Sequence, residues 1–145
     1  MGSRSLSWRD RILKNAAVKR GETLLDVGTG DGLIAFGALD LVGKDGHVVF
    51  SDISRDLLDH SRMLAEEMGV EARCEFLLAP ADDLSVLGDA SVDVVTTRSV
   101  LIYVRDKRRA FGEFFRVLKP GGSLSLSRST VSSCPAHHTF SSATM

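Results

Sequence analysis

The chain has 145 residues with 18 basic and 19 acidic side chains, so there is room for one domain, and the net charge of −1 excludes a general attraction to nucleic acid or an anionic membrane. Apolar residues at 43% and charged residues at 26% match a soluble globular protein with a packed core. Cys74 and Cys134 are too few for a disulfide framework or a four-thiolate zinc site, Gly32 to Leu39 is too short to span a membrane, and Met1 to Arg11 lacks the apolar block of a signal peptide. The expectation is a soluble, cytoplasmic protein with no resident metal.

From Ser7, the residues Trp8, Ile12, Leu13, Ala16 and Ala17 recur at helical spacing and predict a short amphipathic helix with Ser7 as its cap. Thr23 to Val27 is apolar and partly β-branched, which predicts a buried strand running into a glycine cluster. Leu33 to Val42 is apolar nearly all round, as in a helix laid on a sheet, and Gly43 ends it. His47 to Ser51 predicts the second strand. Ser54 to Met68 predicts a helix with Leu57, Ser61, Leu64, Ala65 and Met68 on one face, stopped by Gly69.

Arg73 to Leu78 predicts a third strand, with Cys74 in the core, and Val92 to Thr97 a fourth. Asp106 to Leu118 predicts a helix with Phe111, Phe114, Phe115 and Leu118 inward, and Pro120, Gly121 and Gly122 terminate it. Ser123 to Ser127 alternates serine with leucine as a fifth strand. Strands alternating with helices predict right-handed crossovers and a doubly wound parallel α/β sheet. After Arg128, seventeen residues hold eight Ser or Thr and no charged side chain, so 1–128 is expected to be the folded core and 129–145 a disordered Ser/Thr-rich tail.

Asp26-Val27-Gly28-Thr29-Gly30-Asp31-Gly32 joins the first strand to a helix, where open parallel sheets bind ligands. A dinucleotide fingerprint needs its third glycine at position 33, but Leu33 stands there and Gly32 comes one place early. The Gly-Lys-Ser/Thr ending of a P-loop is also missing. From Gly21 to Gly43 there is no Lys or Arg, whereas Asp26 and Asp31 are close by, a poor setting for pyrophosphate and a good one for a cation. S-adenosyl-L-methionine, with a sulfonium and an ammonium against one carboxylate, fits that field. Asp52, twenty residues past Gly32, can accept both hydrogen bonds of a ribose diol, and Ile53 can pack on adenine.

LLDVGTGDG (Leu24 to Gly32), VVFSDIS (Val48 to Ser54), SVDVVTTRSV (Ser91 to Val100) and RVLKPGGSLSL (Arg116 to Leu126) together resemble the class I S-adenosylmethionine-dependent methyltransferases. The resemblance is strongest to the small-molecule, type 11-like branch that includes ubiquinone/menaquinone and arsenite methyltransferases. It implies a Rossmann-like fold with strand order 3-2-1-4-5, and it implies a chain lacking the family's last two strands, with the fifth left as an exposed edge open to self-association.

Carried across residue by residue, the resemblance implies that Asp26 and the backbone of Gly28, Thr29, Gly30 and Gly32 hold the methionine part and Asp52 the ribose. Where the family commonly has Gly-Asp-Ala, the chain has Ala79-Pro80-Ala81-Asp82-Asp83; the Ala81 amide is then expected to serve the adenine ring, and Asp82 to supply the missing acceptor. Arg98 and Tyr103, near the end of the fourth strand, are the nearest polar candidates there, Arg98 as a clamp for the methionine carboxylate. No catalytic base is identifiable. Thr97 to Val100 lacks the Asn/Asp-Pro-Pro-aromatic signature of nucleic-acid amino-methylating enzymes, and the cluster Arg105, Lys107, Arg108 and Arg109 reads as a solvated helix start. Cys134, His137 and His138 supply at most three metal ligands. The expected activity is methyl transfer to a small molecule, the alternative being a cofactor-binding but catalytically incompetent fragment or interaction module.

Overall fold

The computed structural model describes residues 8–98 and 104–127, apart from the side chains of Trp8, Arg98 and Ser127. Its elements are α1 (Trp8–Asn15), β1 (Thr23–Val27), α2 (Leu33–Val42), β2 (His47–Asp52), α3 (Arg55–Met68), a 3-10 turn at Glu71–Arg73, β3 (Cys74–Leu78), β4 (Val92–Arg98), α4 (Lys107–Val117) and β5 (Leu118–Ser127). The five strands form one parallel sheet in the order β3-β2-β1-β4-β5, as the sequence implied. The tail at 129–145, with Cys134, His137 and His138, lies outside the described residues, as do Ser7 and Tyr103.

The alternation along each strand feeds two cores. Leu24, Val48, Phe50 and Val94 turn to one face, where Ile12 and Leu13 of α1 with Ala16 just past it, Ile34, Ala38 and Val42 of α2 and Leu58 of α3 cover them. Leu25, Val27, Val49, Val95 and Leu124 turn to the other, beneath Ala110, Phe114 and Val117 of α4 and Ala79, Ala81 and Leu84 of the β3–β4 loop. Three helices therefore cover one face, and one helix with a long loop covers the other.

The serines of β5 also have a structural role. Ser123 Oγ donates to the Ala16 carbonyl at 2.9 Å, just past the end of α1, and Ser125 Oγ adds a 3.3 Å bond to the Ile12 carbonyl, which also accepts the Ala16 amide at 3.0 Å, so the end of α1 is tied to the far end of the chain.

Three details depart from the sequence expectation. The inward face of α3 is Leu58, Ser61 and Ala65, whereas Leu57 and Met68 are exposed. Ser54 Oγ caps the Leu57 amide and sets that rotation, and the small Ser61 and Ala65 let the helix approach the sheet. Leu118 is extended rather than helical and pairs with Val92, after which pairing resumes at Val94 with Ser123, leaving Lys119 to Gly122 as a bulge. Gly122 is obligatory there, since a Cβ would stand 2.7 Å from the Asp93 carbonyl oxygen. Cys74 is half-buried rather than in the core; its thiol donates to the Val70 carbonyl at 3.4 Å, and burial, opposed by Arg73, pushes it up to about 11.

Candidate cofactor site

The carboxyl ends of β1 and β2 carry two buried acids. Asp26, 2% exposed, accepts from Thr29 Oγ at 2.7 Å on one oxygen and from Thr96 Oγ of β4 at 2.8 Å on the other. Asp26 and Thr96 are register partners on adjacent strands, so the sheet itself presents the hydroxyl. Sequence reasoning did not single out Thr96; a hydroxyl closing an otherwise apolar strand was the available signal. Thr29 turns inward to Asp26 and its amide donates to the Ser51 carbonyl at 2.8 Å, so its side chain positions the acid and its backbone carries the loop.

Gly28, Gly30 and Gly32 all have positive φ, and the demand is sharpest at Gly32. At φ +85 it precedes α2, and a Cβ would meet the Phe36 ring at 2.8 Å and Ser61 Oγ at 3.1 Å. Gly30 differs in having nothing within 4 Å of a built Cβ, so the loop is open to a ligand on that side.

Asp52, 8% exposed, accepts from the Gly30 amide at 2.8 Å and from the Ser54 amide at 2.9 Å, one on each oxygen. A carboxylate offers about four acceptor positions, so each oxygen retains one, which suits the two hydroxyls of a ribose. Ile53 is 75% exposed beside it, and Leu78, which pairs across from Asp52, is 45% exposed. Each leaves apolar surface exposed, an apolar step beside Asp52 at the ends of β2 and β3.

The β3–β4 loop completes the rim. Ala79 donates its amide to the Asp52 carbonyl at 3.0 Å, which ties the loop to β2. Ala81 is buried in the α4-side core and Asp82 is half-buried. The loop is anchored from α4: Glu113 accepts the Leu84 amide at 2.6 Å, and Arg116 donates to the Leu84 and Leu87 carbonyls at 2.9 Å each, to Glu113 at 2.7 Å and to Asp89 at 2.8 Å. The hydrogen bond from Arg116 holds the Glu113 carboxyl below the usual carboxylate range. Arg98 ends β4, and its side chain falls outside the described residues. Ser61 Oγ and Thr97 Oγ are buried hydroxyls with no hydrogen-bond partner among the described residues.

The donor set fits a cationic adenosine cofactor: two buried acids, an open glycine loop with no Lys or Arg between Gly21 and Gly43, and an apolar step. A cleft of about 870 Å³ between α1 and α2 reaches this rim only at Asp31 and Leu33. Among the described residues no helix is long and apolar enough to cross a membrane, and no three His, Cys, Asp or Glu gather as a metal site.

The chain is similar to known proteins in sequence and in fold. The chain is 38% identical over 112 residues to the arsenite methyltransferase of Halobacterium salinarum, covering 77% of this chain and 28% of that protein. It is 33% identical over 117 residues to the ubiquinone/menaquinone biosynthesis C-methyltransferase UbiE of Vibrio parahaemolyticus, covering 81% and 45%. Its fold is similar to a SAM-dependent methyltransferase from Aquifex aeolicus (TM-score 0.74, 25% identity, 81% of this chain and 62% of that one). It is similar also to the [4+2]-cyclase SpnF (TM-score 0.74, 28% identity, 81% and 42%). The chain spans less than half the length of these two curated relatives. The sequence pattern of the ubiE/COQ5 methyltransferase family runs through residues 3–143, and the chain, whose sheet order matches that of its methyltransferase structural neighbours, belongs to that family.

Proposed function

We propose that this chain binds S-adenosyl-L-methionine at the carboxyl edge of β1 and β2 and delivers its methyl group to a small-molecule acceptor. The observation that carries the reading is Asp52, fixed by two backbone amides with one acceptor position left on each oxygen, beside a glycine loop free of basic residues. The bound cofactor supplies an electrophilic methyl whose S–C electron pair stays with sulfur as the acceptor atom forms the new bond. The chain's contribution is positional. Asp52 holds the ribose, Ile53 and Leu78 seat the adenine with the Ala81 amide and Asp82 at its edge, and the Gly28–Gly32 backbone with Asp26 behind it receives the methionine end. Arg98 is the proposed partner of the methionine carboxylate. In-line attack then needs the acceptor held in line and water kept out.

Calorimetry with S-adenosylmethionine, S-adenosylhomocysteine and NAD tests the reading. The first two are expected to bind and NAD not to, and Asp52→Ala should weaken binding by about 1.5 to 3 kcal/mol, the scale of hydrogen bonds to a charged group. Absence of binding by both sulfur compounds would overturn it. A second reading, binding without transfer, draws support from the similarity to a [4+2]-cyclase. Cofactor binding without turnover across a panel of small acceptors would favour it.

A further inference from the structure

We infer that the acceptor carries an anionic group, a carboxylate or a phosphate, received by Arg105, Lys107, Arg108 and Arg109 at the rim beside the cofactor site. This rests on the methyltransferase reading and adds a substrate class to it. All four side chains are exposed. In a parallel sheet the helix after β4 begins at the carboxyl edge, so α4 brings them to the rim that Asp26 and Asp52 occupy. Val104, just before them, packs on the same core as Ala79 and Ala81. The Asp83 carboxyl, held below its usual range chiefly by hydrogen bonds from Ser85, is lowered further by the field of Arg109, so Arg109 faces the adenine-side loop.

Lys107 Nζ donates to the Val104 carbonyl at 3.3 Å, but among the described residues no ion pair accounts for the cluster. One oxygen of Asp106, the acid in their midst, caps the Arg109 amide. The first turn of α4 contains no acid, and cations there oppose the positive end of the helix dipole. Arg116, near the other end of the same helix, is by contrast paired with Glu113 and Asp89. The rim is therefore bipolar, acidic at β1 and β2 and basic at the start of α4. A cationic methyl donor on the first side and an anionic acceptor on the second complement it.

The test titrates the 145-residue chain at low salt with inorganic pyrophosphate and, separately, citrate, each in the presence of saturating S-adenosylmethionine or S-adenosylhomocysteine, followed by calorimetry and amide chemical shifts. At least one anion is expected to bind saturably with shifts centred on 104–111, at least twofold tighter beside the cationic sulfonium than beside the neutral thioether. Replacing Arg105, Arg108 and Arg109 together by Gln should weaken it tenfold or more and leave S-adenosylhomocysteine affinity unchanged. The better of the two anions separates phosphate from carboxylate. No saturable binding of either, undiminished binding by the triple variant, or equal affinity with both cofactor forms would overturn the inference while leaving the cofactor site intact. Failure of both cofactor forms to bind wild type would instead overturn the reading beneath it.

Discussion

The two halves of the carboxyl edge are built differently. On the β1–β2 side both carboxylates are buried and both oxygens of each are engaged, Asp26 by two hydroxyls and Asp52 by two backbone amides. Such bonds lie out of reach of salt and are set before any ligand arrives. On the β3–α4 side the loop is held by Arg116 and Glu113, side chains 30% and 16% exposed, with Asp89 fully at the surface. Ion pairs in that position are screened by salt and contribute modestly. The first half suits a cofactor of fixed shape; the second can adapt to an acceptor.

That contrast predicts a gradient of effects. Asp26→Ala should produce the largest, about 3 kcal/mol in urea unfolding with unchanged m, because two buried hydroxyls lose a charged acceptor. A loss under about 1 kcal/mol would show that burying this acid costs as much as its bonds return. Gly32→Ala should follow at about 2 kcal/mol, combining positive φ with overlap on Phe36, whereas Gly30→Ala, with positive φ and open space, should lose only about 1 kcal/mol. Equal losses would mean that backbone conformation alone decides.

Glu113→Gln should cost least, about 0.5 kcal/mol, and less in high salt. The Glu113 carboxyl lies lower in the folded state than its ordinary 4.5, so its stabilisation is complete above that value and is lost as pH falls through the lower folded value. The variant should therefore flatten the acid limb of the stability curve below pH 4.5. An unchanged slope there would assign acid sensitivity to other carboxylates.

Much of this was legible in the sequence, for local reasons. Strand and helix periods, the glycine loop, Asp26 and Asp52 are short-range patterns, and the strand order came with the family resemblance. The pairings across the sheet were not legible. Thr96 reaches Asp26 across 70 residues and Ser123 reaches Ala16 across 107, and no window of sequence contains both partners. The face of α3 was misjudged because Leu57 and Leu58 are equally apolar, and the cap at Ser54 decides which of them turns inward. The bulge at Lys119–Gly122 looked like a terminator because Pro-Gly-Gly ends a helix and also interrupts a ladder.

The two serines that grip α1 have a kinetic consequence. Their hydrogen bonds join Ile12 and Ala16 to residues more than a hundred positions later, so the first helix made is among the last to find its full set of partners. Long-range closure of this kind slows folding and leaves early segments exposed during synthesis. Until Ser123 and Ser125 have left the ribosome, the end of α1 lacks the two hydroxyls that tie it to β5.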